Sequence, residues 1–206
     1  MKSHQFGARI FARIKSHGRG WVFTPNHFED ICGRSTVSTT LQRLHESEKI
    51  RQLARGLYDY PKIHPKLGML SPPADDVAKA LAGREAIRLQ PSGAYAANLL
   101  GLSTQVPMKI VYLTDGASRI VQVGNRQIIL KRTTPRNMAT AGRISGLVIQ
   151  ALRYLGKEHV DRPIIEQLGN RLDKNACEQL MKDIRYAPAW IAAIFRELAK
   201  GKEGAE

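Results

Sequence analysis

The sequence predicts an α+β chain. A winged helix-turn-helix is expected over residues 1–66, and a small sheet with a helical C-terminal part, helical from about 143, over 67–206. Three observations predict it. Residues 24–60 read as helix, tight turn, helix and two-stranded hairpin. Three strand-like runs between 109 and 130 are separated by the turn pairs Asp115-Gly116 and Gly124-Asn125. Four helix-like stretches then occupy 143–199.

In order, residues 3–17 suit a first helix with Phe6, Ile10, Phe11 and Ile14 on one side, ended by Gly18 and Gly20. Trp21-Val22-Phe23 reads as a short strand adding an edge to the later hairpin. Thr24-Pro25 opens a second, brief helix that runs to about Ile31, and Gly33 makes the turn. The third helix starts at Arg34-Ser35, with Ser35 as its expected N-cap. Val37, Leu41 and Leu44 recur at i, i+4 and i+7, one apolar stripe. At about 100° per residue, Ser35, Thr36, Thr39, Gln42 and Arg43 fall on the other side. Such a helix buries one face and offers short hydrogen-bonding side chains on the other, which suits the reading of base edges in a major groove.

Runs at 50–53 and 57–60, joined by Ala54-Arg55-Gly56, predict a hairpin with Arg55 at its tip, where an Arg suits a phosphate backbone or minor groove. The Pro- and Gly-rich text of 62–74 reads as a linker, and 75–82 as a helix with acids in its first turn. A strand at 86–89, a turn at Pro91-Ser92-Gly93 and a small-residue helix at 94–100 follow. Strands are expected at 109–113, 119–123 and 127–130, and helices at 143–155, 163–172, 174–185 and 188–199, with a frayed end from 201.

Thirty-two Lys and Arg against eighteen Asp and Glu give a formal charge of +14, which points to a polyanionic partner, nucleic acid first. Residues 1–66 hold twelve basic and five acidic side chains. Residues 116–157 hold eight basic and no acidic ones. Two segments are therefore electropositive. For the first, the candidate DNA-binding residues are Arg34, Ser35, Thr36, Ser38, Thr39, Gln42 and Arg43 on the helix, with Arg51 and Arg55 on the hairpin. For the second, a further basic surface is expected from Arg119, Arg126, Lys131, Arg132, Arg136 and Arg143, facing a second polyanion or an acidic protein.

Catalysis is not expected. The acidic pairs Glu29-Asp30 and Asp75-Asp76 diverge, the six His lack metalloprotease spacing, and no phosphate-loop or nucleophile-elbow glycine pattern occurs. Cys32 and Cys177 lack nearby ligands, so no metal and no cofactor are expected. No signal peptide or membrane span is read, and a cytoplasmic location is expected.

The stretches GLYDYPKIHPKLGMLSPPADDVAKALA and LQPSGAYAANLLGLSTQVPMKIVYLTDG resemble the AbiEi family of antitoxins from bacterial type IV toxin–antitoxin systems, over about residues 5–135. The resemblance implies a winged helix that binds inverted repeats in its own operon's promoter as an autorepressor. It also implies a C-terminal region that neutralises a nucleotidyltransferase-like toxin, generally without a stable complex. The alternative is a winged-helix transcriptional regulator whose second domain binds a ligand or another protein.

Overall fold

The computed structural model describes residues 2–83 and 87–203. The chain is a helix-rich α+β protein that divides into two compact units, residues 1–85 with 120–128, and residues 86–119 with 129–206.

In the first unit, helix α1 (Lys2–His17) buries Ile10 and Ile14 completely, the spacing of one helical turn. Strand β1 (Val22–Phe23) leads to a single 3-10 turn, Pro25–Phe28, where a short α-helix was expected. Only eight residues separate Thr24 from Gly33 and one is Pro, so i→i+3 bonding replaces a longer helix. Helix α2 (Arg34–Glu46) buries Val37, Thr40, Leu41 and Leu44. Fully burying Val37 and Leu41 stabilises this packing by about 1.5–3 kcal/mol each. Strands β2 (Arg51–Ala54) and β3 (Leu57–Asp59) meet at an Arg55-Gly56 turn, with Gly56 at φ 71°. The sheet order is β1-β3-β2, antiparallel, so β1 does supply the third strand.

The expected linker at 62–74 is instead structured. Strands β4 (Ile63–His64) and β5 (Gly68–Met69) pair as a second hairpin. Helix α3 (Ala74–Ala82) follows, burying Val77, Ala78 and Leu81, and packs on β1. The first unit therefore runs to residue 85 rather than 66. Apolar residues of α3 have their partners in the N-terminal sheet, which composition alone does not reveal.

In the second unit, β6 spans Leu89–Ser92, three residues later than the strand expected at 86–89; Ala86 lies outside the described residues. Pro91 sits inside β6 rather than in a turn. It is tolerated because β6 is an edge strand that does not need every N–H. Helix α4 (Gly93–Leu99) precedes β7 (Lys109–Thr114), β8 (Arg119–Val123) and β9 (Arg126–Arg132); the sheet order is β6-β7-β9-β8, and residues 120–128 of β8 and β9 group with the first unit. A one-turn helix, α5 (Pro135–Met138), then leads to α6 (Ile144–Leu155), α7 (Arg162–Arg171), α8 (Lys174–Lys182) and α9 (Ala189–Glu203). Asp161 and Asp173 cap α7 and α8, each accepting a backbone N–H, at 3.2 Å and 2.7 Å. The end expected to fray at 201 continues α9 to 203.

Ala96 and Ala97 of α4 are fully buried, and α4 packs closely on α6. Gly146 of α6 lies so near β6 that a Cβ there would overlap the Thr140 carbonyl oxygen and Oε1 of Gln90. Leu152, Leu168, Leu180, Ile191 and Phe195 join the helices in one core.

Candidate nucleic-acid interface

Helix α2 presents the surface its periodicity implies. Its N-cap is Gly33, whose carbonyl accepts the Val37 N–H at 3.1 Å, so Ser35 is a helical residue and not the cap. Arg34, Ser35, Ser38, Thr39, Gln42 and Arg43 are exposed and Thr36 is half-buried. The Thr39 hydroxyl donates to the Ser35 carbonyl at 3.0 Å, which leaves its oxygen lone pairs facing outward as acceptors. Gln42 donates to Glu46 at 3.1 Å, a contact it must give up to pair bidentately with a base. The side chains of Arg34 and Arg43 make no hydrogen bond or ion pair among the described residues. Beside them Phe6, Ser35, Thr36, Thr39 and Thr40 line a shallow hollow.

The two hairpin arginines separate. Arg55 is exposed at the β2–β3 turn. Arg51 is not presented for binding. Its Nε and Nη2 grip the Asp59 carboxylate at 2.9 and 2.5 Å, and Nη2 also donates to the Leu70 carbonyl at 2.8 Å. Asp59 is 1% exposed, so this is a buried ion pair that ties β2 to β3 and to the following hairpin.

The turn leading into α2 is fixed by groups the motif reading did not single out. Arg13 of α1 donates to the His27 carbonyl at 2.9 Å and forms a two-pronged bond to Asp30, both prongs 2.7 Å. That guanidinium holds the Asp30 carboxyl below the usual range. The backbone N–H of Thr24 donates to Nδ1 of His27 at 3.2 Å, which requires an unprotonated Nδ1. Burial lowers the His27 pKa from 6.5, and the nearby His17 lowers it further. His17 stacks on Trp21 at 3.8 Å between ring centroids, and Trp21 meets His27 edge-on. Arg13 and Asp30 are seventeen positions apart, so only the folded turn brings them together.

Of the second basic set, Arg119, Lys131, Arg132 and Arg136 belong to the second unit, exposed and without side-chain partners among the described residues. Arg126 groups with the first unit, where Pro72, Pro73, Ala74 and the Gly124-Asn125 turn line a hollow with it. Arg143 is committed elsewhere. Its guanidinium bonds the buried Asp183 at 2.5 Å, and Asp183 also accepts from Ser145 and Gln179. The six residues therefore do not form one surface. A basic residue passed over in the sequence, Arg88, pairs with Asp115 and holds that carboxyl low.

Among the described residues no group of three or more His, Cys, Asp or Glu is placed to hold a metal ion, and Cys32 and Cys177 are free thiols. No described helix is long and apolar enough to cross a membrane. A family model matches residues 9–180, most of the chain and parts of both units. The chain belongs to DUF6088, a family of unknown function. No curated protein matches this DUF6088 chain.

Proposed function

We propose that this DUF6088 chain binds double-stranded DNA through a winged helix in its first unit, with α2 as the recognition helix, and acts as a transcriptional autorepressor. The observation that carries the reading is the exposed face of α2. Arg34 and Arg43 are unpaired there, Ser35, Ser38 and Thr39 lie between them, and the opposite face is buried. The element order helix, strand, 3-10 turn, helix, hairpin supports it, as does the excess of seven basic residues in 1–66. Arg55 at the wing tip fits a phosphate or minor-groove contact.

The test is fluorescence anisotropy with duplexes tiled across the DNA upstream of the chain's own gene. Wild-type protein is expected to select one inverted-repeat segment. Each bidentate base contact contributes about 1–3 kcal/mol of discrimination, so Arg34→Ala with Arg43→Ala weakens that complex by at least about 30-fold. Undiminished selective binding by the double variant, with an unchanged melting curve, rules out α2 as the reader.

The antitoxin role rests on the resemblance to AbiEi proteins. In that reading the unpaired cations Arg119, Lys131, Arg132 and Arg136 of the second unit act against a nucleotidyltransferase-like toxin encoded beside the gene. Co-expression tests it. Rescue of growth that is lost in Lys131→Ala with Arg132→Ala, while operator binding persists, supports two separate functions. Failure of the wild-type chain to rescue removes the antitoxin role and leaves the DNA reading untouched.

A further inference from the structure

Residues 61–70 form an arm whose base, Pro61, is buried and whose outer apolar side chains are exposed. Leu67 is 73% exposed, Ile63 58% and Met69 52%. The arm is nevertheless built rigidly. Leu70 N–H donates to the Lys62 carbonyl at 2.9 Å, and Arg51, already locked to Asp59, clamps the Leu70 carbonyl. At the tip Nδ1 of His64 accepts from the backbone N–H groups of Lys66 and Leu67, at 3.2 and 3.3 Å. Lys62 and Lys66 flank the apolar residues, exposed and unpaired among the described residues, and no acid occurs from 60 to 74.

We propose that this arm is a minor-groove wedge that kinks DNA, with Leu67 entering a base step, Ile63 and Met69 packing on the groove walls, and Lys62 and Lys66 on the flanking phosphates. The inference rests on the reading of α2 as the DNA-recognition helix. Apolar side chains between lysines on a braced hairpin match the way architectural proteins unstack a base step, whose cost is offset by the wider contact that bent DNA allows. Charge selects the occupant, since an acid-free rim of lysines complements phosphate and repels a second copy of itself.

The experiment uses the full chain and 30-base-pair duplexes tiled from its own upstream DNA, labelled at both ends for energy transfer. Duplicates carry 2-aminopurine at pyrimidine–purine steps, the easiest to kink. Wild-type protein is expected to shorten the end-to-end distance and raise the 2-aminopurine fluorescence at one step. Leu67→Ser with Met69→Ser, both surface changes, is expected to bind within about 10-fold of wild type but leave the duplex straight and stacked. Leu67→Phe is expected to keep the kink.

Binding without bending by the wild type, or bending unchanged in the double variant, overturns the wedge and spares the DNA reading. Absence of wild-type binding to every duplex defeats both. Loss of self-association, or of binding to phosphatidylserine vesicles, in the double variant with DNA bending intact assigns the arm to that other partner and overturns the proposal.

Discussion

Replacing Arg51 by Met separates a structural arginine from a DNA contact. Met keeps an unbranched apolar stem comparable to arginine's three methylenes and lacks the guanidinium. Asp59, 1% exposed, is left as a buried carboxylate without its cation, and the Leu70 carbonyl loses a donor. Breaking one side of a fully buried pair costs about 3–5 kcal/mol. Arg51 itself is 24% exposed, and solvent screening reduces that figure to about 2–4 kcal/mol. For a unit of this size each kcal/mol lowers the midpoint by about 4–8 °C, so a fall of at least about 8 °C in the first unit's transition is expected. The assay is thermal unfolding followed by circular dichroism, with DNA affinity measured well below the transition. Arg51→Met with Asp59→Leu removes both charges and recovers most of the loss, because an apolar pair replaces a buried ion pair at little net cost. An unchanged midpoint together with a 10-fold or greater loss of DNA affinity in the single variant refutes the structural assignment and restores Arg51 to the interface.

Log affinity for DNA should fall with log salt at a slope of about −0.9 per phosphate neutralised. Arg55 alone gives about −0.9, and adding Lys62 and Lys66 gives about −2.7, so Lys62→Ala with Lys66→Ala is expected to flatten the wild-type slope by about 1.8. His27 has a lowered pKa in the folded chain, so the unfolded state binds its proton first. Stability is fully present above about pH 6.5 and is lost as pH falls through the lower folded value, with the Thr24 N–H bond lost in the same step. Urea midpoints at pH 7.5 and 5 should therefore differ more for wild type than for His27→Asn, and equal differences remove His27 from the account. Gly146→Ala forces a methyl into the Thr140 carbonyl and Gln90, and a loss of about 1–3 kcal/mol in chemical denaturation is expected. A neutral result means that α6 and β6 separate freely.

The stripe Val37, Leu41, Leu44 was legible because helix periodicity is local, and all three are buried. The Arg55-Gly56 turn was legible for the same reason, since a glycine at positive φ marks itself. Arg51 was not. Counting outward from Ala54↔Leu57 puts it opposite Tyr60, but an irregularity between Gln52 and Ala54 shifts the register and sets it against Asp59. A bulge leaves no pattern in composition. Arg143 was not legible because its partner Asp183 lies forty residues on, and only the fold brings the two together. The arm at 61–70 reads as a linker because Pro and Gly mark turns and boundaries alike.

The first unit is not one stretch of chain. Residues 120–128 complete it, after the polypeptide has already laid down 86–119 of the second unit. During synthesis the leading 85 residues must therefore wait while 43 more, from 86 to 128, are added. At about 5–20 residues per second that interval lasts about 2–9 s. For that interval the nascent chain holds α1, α2 and the arm, with the arm's apolar tip exposed, while the segment that finishes the unit is still being made. A stop codon placed at 86 would make that transient permanent, and the fragment it releases is not the isolated first unit.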